Sequence, residues 1–263
     1  MGKRMPRVKP TSSAHSAPGE DERPGGMRLN RFLARAGVGS RRTCDDLIRQ
    51  GLVTVNGRRP ESLGVQVSPG DRVEYAGRRI VLPDISVYAW NKPIGVETSM
   101  ADRSGRLKAL LERLTPGCVP VGRLDINTGG LLILTNDGDL TNRLTHPRWG
   151  VEREYILTLA GDIPGGVLGR LRSGISIGPG PLCRPVSVAP LGARRLSVVL
   201  SSGRYHEVRR MAAAAGLTLA SLERTRFGPV TIGDLPRGGH RNLSRKEAGM
   251  LYSLVGLEPP GSH

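Results

Sequence analysis

The stretch GRLDINTGGLLILTNDG, residues 122–138, has its first carboxylate, Asp125, between Leu124 and Ile126, in a chain of formal net charge +16. On residue type alone, an aspartate ahead of Thr-Gly-Gly is a turn residue. Its neighbours argue for more. Arg123 is adjacent. The apolar run that follows places Asp125 at a strand edge, and Gly129 and Gly130 let another backbone or a ligand approach closely. A carboxylate fixed in such a place can add to a carbon as a nucleophile or remove a proton. Asp137 sits in Asn-Asp-Gly, a strong turn, and reads as structural. Cys44, Cys118 and Cys183 are far apart, with no Cys-x-x-Cys and no histidine at ligand spacing. Neither a phosphate-binding Gly-Lys-Ser/Thr loop nor a dinucleotide fingerprint occurs. The expected chemistry uses no metal and no cofactor.

Lysine and arginine total 39 against 23 aspartates and glutamates, an imbalance that points to a polyanionic partner. No apolar run approaches the ~20 residues that span a bilayer, so a membrane is not the expected partner. Residues 1–26 carry Lys3, Arg4, Arg7 and Lys9 without an apolar core, which is not a secretory signal; rich in Pro, Gly and Ser, they read as a disordered basic tail. A sparse, odd cysteine count fits a reducing cytoplasm.

The elements that must position Asp125 begin near Met27. Leu29, Phe32, Leu33 and Ala36 follow helical spacing, and Gly37 fits the stop. Ser40 can cap a second helix with Cys44, Leu47 and Ile48 on one face and Gly51 at its end. Alternating strands with turns at Asn56-Gly57 and Pro69-Gly70 complete a module of two helices on a small sheet, residues 27–77. Arg28, Arg31, Arg35, Arg41, Arg42, Arg49, Arg58 and Arg59 stand there against Asp45 and Asp46. The first five lie on or between the helices, where arginines can grip a phosphate backbone without reading bases. A basic connector, residues 78–86, leads to a second domain over 87–255 and a flexible end, 256–263. In that domain LLILT, YILTLA, VSVAP and LSVVL read as strands and HEVRRMAAAAG as a helix; Ser244 and Glu247 form a capping box opening a last helix. Helices are not regularly interposed, which predicts an α+β domain with a mixed, largely antiparallel sheet behind a small α/β module.

Two stretches resemble known families. RLNRFLARAGVGSRRTCDDLIRQGLVTVNG is similar to the ribosomal S-four-type RNA-binding module, which implies binding to structured RNA. Residues 122–138 match, at nearly every specified position, the main signature of pseudouridine synthases. Together they resemble the RsuA/RluB/RluE/RluF group, which modifies ribosomal RNA. The resemblance implies isomerisation of uridine to pseudouridine: the bond from N1 to the ribose breaks, and the base rejoins the sugar through C5. Atoms balance, so no cofactor is needed. It implies that Asp125 is the catalytic carboxylate and that Arg209, in RYHEVRRM, is its cationic partner; from the residues alone Arg209 and Arg210 are not separable. It places Tyr155, in EREYILTLA, against the target uracil, stacking on it and helping to remove the C5 proton. Arg123, Arg204 and His206 are expected to face RNA, and Lys92, in the Lys-Pro turn, to contact phosphate. Glu207 stands where the family usually has Gln, and Ser201-Ser202 where an acidic residue is common.

Two other readings compete. A glycosidase that stops after cleavage generally needs a second acid, and only Asp137 stands near Asp125. A non-catalytic, rRNA-binding ribosome-assembly factor would be favoured by loss of Asp125 or Arg209; both are present. Monomer is the default expectation.

Overall fold

The computed structural model describes residues 26–99 and 102–260. All but Gly26 of the expected basic tail, and residues 261–263, lie outside the described residues.

The N-terminal module contains β1 (Met27–Arg28), α1 (Leu29–Arg35), α2 (Arg41–Arg49), β2 (Val53–Val55), β3 (Gln66–Val67), β4 (Val73–Tyr75) and β5 (Arg78–Arg79). β1 pairs with β3, and β2, β4 and β5 form a three-stranded sheet. The helix faces expected from spacing are those that pack: Leu29, Leu33, Cys44 and Ile48 join Val53, Val67 and Val73 in one core. Ser40 caps α2, its side chain accepting from the Thr43 amide at 3.1 Å. The first residues of the expected connector belong to β5, and Ile80 packs on the module's core.

The larger body follows as β6 (Val87–Lys92), α3 (Arg106–Leu111), β7 (Val119–Pro120), β8 (Gly129–Thr135), α4 (Gly138–Thr145), β9 (Arg153–Leu159), α5 (Val167–Ser173), β10 (Ser187–Pro190), β11 (Arg195–Leu200), α6 (Glu207–Ala214), β12 (Leu219–Phe227), β13 (Val230–Thr231), β14 (His240–Asn242) and α7 (Arg245–Leu254). Nine strands form one sheet in the order β10-β11-β9-β12-β8-β6-β14, with β7 beside β8 and β13 beside β12. Among the described residues, every strand pair is antiparallel except β12 with β8. The architecture is the expected α+β, mixed and largely antiparallel.

β6 and β8 are buried on both faces, which is why β8 reads as a continuous apolar run. Their alternate residues serve two cores. Val87, Ala89, Leu131 and Ile133 pack with Leu140, Leu144, Leu251 and Tyr252 of α4 and α7. Tyr88, Trp90, Leu132 and Leu134 pack with Leu107 and Leu110 of α3. A third core lies under α5 and α6, against β9–β12. Asp137 has the structural role expected of it: it caps α4, and the Tyr252 hydroxyl donates to its other oxygen at 2.7 Å. The capping box at Ser244 forms, and Arg241 grips Glu247 through two bonds, holding that carboxyl down to about 2.

Module and body are joined by residues expected to face RNA. Arg31 pairs with Asp139 at the start of α4. The carbonyl of Arg35 lies against Gly117, where a Cβ would sit 2.1 Å away, and the Arg35 Nε is buried. Both side chains are half-buried against the body, with Arg31 paired to Asp139 and the Arg35 Nε turned inward, so each offers RNA less than an exposed arginine does. Arg28, Arg41 and Arg42 are exposed, as an RNA-facing role requires. No described helix is long and apolar enough to cross a membrane.

The glycine pair that opens β8 admits a neighbouring backbone. At Gly130 (φ +100°) a Cβ would stand 2.3 Å from the carbonyl oxygen of Arg224 on β12. Gly130→Ala combines left-handed strain of ~1–3 kcal/mol with overpacking of ~1–3 kcal/mol. Its Tm is expected to fall by roughly 6–12 °C or more. Gly233→Ala, at φ +54° with open space around it, carries strain alone and is expected to lose about half of that in the same thermal melts.

Candidate active site

Asp125 lies at the edge of a cavity of about 260 Å³. That is just below the ~300 Å³ at which sites for drug-sized ligands begin, and it suits a single nucleoside. Strand register builds the floor. Tyr155 on β9 pairs with Val198 and Arg224, Arg153 with Leu200 and Phe227, and Leu157 with Leu222. The period-two alternation of strands therefore sets Arg153, Tyr155, Leu200, Leu222 and Arg224 on one face, and all five line the cavity. Tyr155 packs against both the α3 core and the α6 core, so the cavity opens where the two meet.

The turn from β7 to β8 forms one wall, and α6 with the loop before it forms the other. Asp125 is in a turn, four residues ahead of β8, and not on the strand edge itself. Its carbonyl accepts from the Thr128 amide at 2.9 Å. The Gly95 amide donates to Ile126 O at 2.8 Å, and Thr98 both donates to and accepts from the Leu124 backbone. The turn is held from several sides through its backbone.

Arg209 of α6 reaches across. Its Nε is 3.7 Å from Asp125 Oδ2, while its Nη2 donates to Asn127 O at 2.7 Å and Thr128 Oγ1 at 3.2 Å. Arg210 turns away to the carbonyls of Ile177 and Tyr205. Helix position alone does not separate the two arginines; the fold does. The side chains of Asp125 and Arg209 are 33% and 30% exposed, so the free site is wet, not the dry pocket such chemistry calls for.

His206 is closer to the carboxylate than a rim position implies: its Nε2 stands 3.2 Å from Asp125 Oδ1. Arg204 lines the cavity, but its guanidinium donates to Pro179 O and Pro181 O, which occupies much of its RNA-facing capacity. Arg123 is exposed at the mouth. Glu207 is buried in the wall, accepting from Ser202 Oγ at 2.6 Å and the Arg204 amide at 3.1 Å. A second carboxylate thus lines the cavity, far from Asp125 in sequence, and it is engaged in holding the loop before α6.

Sequence reasoning missed two arginines. Arg153 donates to Ser202 O and Leu144 O, and burial pulls its guanidinium pKa down. Arg224 is 2% exposed; its Nε donates to Leu131 O at 2.8 Å, and both arginines lie over the Phe227 ring. The signal was present as the i, i+2 spacing to Tyr155 and Leu222. A β-bulge between Arg224 and Arg226 turns the latter to the opposite sheet face, where it bonds Glu152 and lies 3.6 Å from Glu154, as an ordinary surface arginine does.

Residues 86–214 match the family model for RNA pseudouridylate synthase, and residues 27–73 match that of the S4 domain. The chain is 41% identical over 251 residues to an uncharacterized RNA pseudouridine synthase of Mycobacterium tuberculosis, covering 91% of this chain and 98% of that one. It is 32% identical over 241 residues to the ribosomal large subunit pseudouridine synthase B of Bacillus subtilis, covering 87% and 96%. A solved pseudouridylate synthase structure superposes with TM-score 0.63 at 29% identity, covering 87% of this chain and all of that one.

Lys92 corrects the expectation of a phosphate contact. It ends β6, is fully buried, and donates from Nζ to Pro93 O at 3.0 Å and Val96 O at 2.7 Å. The lysine precedes a proline turn, but both faces of its strand are covered. Burial pushes its ammonium down to about 8; Asp125 and Asp102 pull it up, and Arg224 pushes it further down. The unfolded chain keeps that proton until about pH 10.4. Between pH 8 and about 10.4 the unfolded state therefore binds more protons, and stability contributed at this site rises with pH; below 8 the cost of the buried charge is present in full. In urea titrations the unfolding free energy of the wild type is expected to climb from pH 8 to 10 relative to Lys92→Met. Parallel curves would contradict a buried ammonium.

Proposed function

The chain belongs to the RNA pseudouridylate synthase family and carries an S4 RNA-binding domain, and from that premise we propose that it isomerises uridine in ribosomal RNA, with Asp125 as the catalytic carboxylate. The observation that carries the residue assignment is the approach of Arg209 to Asp125 across a nucleoside-sized cavity floored by Tyr155. A relative of similar length is named for the large ribosomal subunit, which supports rRNA as the substrate.

In this reading the target uridine leaves its stack to enter the cavity, since N1 and C5 are otherwise out of reach. Asp125 faces the ribose and the base edge and acts as a nucleophile or as a base. Arg209 pairs with it and fixes its turn through Asn127 and Thr128. The N1–C1′ bond breaks, the base turns, C5 bonds to C1′, a proton leaves C5 and a proton ends on N1. Tyr155 stacks on the uracil and helps take the C5 proton. RNA covering the mouth removes the water that the free site admits, which strengthens every charge interaction inside. Arg28, Arg41, Arg42 and Arg123 hold phosphates outside the cavity.

Ribosomal RNA transcripts carrying tritium at C5 of uridine test the reading. The wild type is expected to release tritium to water. Asp125→Asn should lose at least ~10²–10⁴-fold in rate while binding RNA as before, and Tyr155→Phe about 10²-fold. Tight binding of RNA from both subunits with no release, also from partly assembled particles, would sink the enzyme reading on rRNA and leave an assembly factor.

A further inference from the structure

We propose that Tyr205, stacked on His206 at the cavity mouth, is a nucleobase-stacking subsite that takes a base next to the target uridine in the same RNA strand. The inference rests on the reading of the cavity as the uridine site.

Tyr205 is 68% exposed and is the only exposed aromatic residue among those described. Its ring lies on the His206 imidazole with centroids 3.8 Å apart and planes 17° apart. One face is thus covered and the other is open to solvent. The pairing also fixes the ring's orientation before any ligand arrives, so less freedom is lost on binding. His206 adopts a left-handed backbone (φ 49°, ψ 33°), which non-glycine residues rarely do. Such conformations persist where surrounding contacts over-determine them, often at ligand sites. Here Arg210 Nη1 donates to Tyr205 O, the Arg204 amide is held by Glu207, and the imidazole reaches Asp125. The chain therefore spends a strained residue and a buried carboxylate on presenting one bare aromatic face beside the carboxylate.

The surroundings select the occupant. Arg123 is exposed at the same mouth, and Arg204 and Arg209, though each bonded to backbone carbonyls, add their charge to the cavity lining. An aromatic face among guanidinium groups fits a base flanked by phosphates, because every base has a π face and every linkage a negative charge. Extruding a uridine also strips its neighbours of a stacking partner. A ring at the mouth restores that contact for one of them.

Two readouts test this on the full chain with rRNA transcripts. In the tritium-release assay, Tyr205→Ala is expected to raise KM about 10- to 100-fold with kcat little changed, since a flanking contact serves ground and transition states alike. Tyr205→Phe should restore KM to within about threefold of wild type. In the second readout, Tyr205→Trp should show indole emission quenched by transcript beyond what Trp90 and Trp149 give in the wild type. An unchanged KM in Tyr205→Ala, or a fall in kcat alone, would overturn the proposal; the latter would mean that the ring only orients His206. An unquenched indole would overturn it too. If the wild type releases no tritium, the uridine reading fails by itself. Indole quenching, with loss of transcript affinity in Tyr205→Ala by filter binding, then still decides whether Tyr205 stacks on RNA.

Discussion

Arg209 ties together two walls that stand on separate apolar cores, which meet at Tyr155. Asp125 stands on a turn anchored to β7, β8 and the α3 core; Arg209 stands on α6, whose apolar face belongs to the core of β9–β12. One guanidinium meets the carboxylate at 3.7 Å and also bonds Asn127 O and Thr128 Oγ1. A lone point charge would satisfy the carboxylate alone. The planar, forked donor set of arginine satisfies it and immobilises the turn that carries it. The cavity exists because these two walls are held apart by the sheet and pinned across the gap.

Beneath that pair the sheet is unusually basic. Arg153, Arg224 and Lys92 are drawn out of water without a carboxylate of their own, and carbonyls take up part of their hydrogen-bonding capacity. Burying such charge costs several kcal/mol per ion unless it is compensated. Asp125 offers partial compensation, felt at Lys92 as an upward pull. One strand illustrates the division: Arg226, two residues beyond Arg224 and on the other face, has Glu152 and Glu154 for partners. Stability would favour the same arrangement on both faces. The cavity face instead keeps a positive floor, suited to a polyanion.

Local rules made much of this legible. The caps at Ser40 and Ser244, the helix at Glu207–Ala214 and the unbroken apolar β8 follow from side-chain chemistry within a few residues. What stayed hidden depends on which surface another element covers. Arg31 and Arg35 look like Arg41 and Arg42 in sequence, yet the first pair is half-buried against the body and the second is exposed. Lys92 looks like a turn lysine until β8 and β14 flank its strand. Arg153 and Arg224 were within reach of a simple alternation argument once Tyr155 had been placed on a strand. His206 was not, because its left-handed backbone turns the ring toward Asp125 against the ordinary geometry of a helix start.

The parallel pairing of Gly129 and Gly130 with Glu223 and Arg224 also orders events in time. Contacts in the N-terminal module close over short stretches of chain, so it can fold early, whereas parallel pairing of distant segments pays its loop-closure entropy first and forms slowly. Synthesis runs from the N-terminus, and units fold as they emerge. The cavity floor has no Arg224, and the turn no settled neighbour strand, until β12 has been made. A nascent chain thus completes its RNA-binding module well before its pocket.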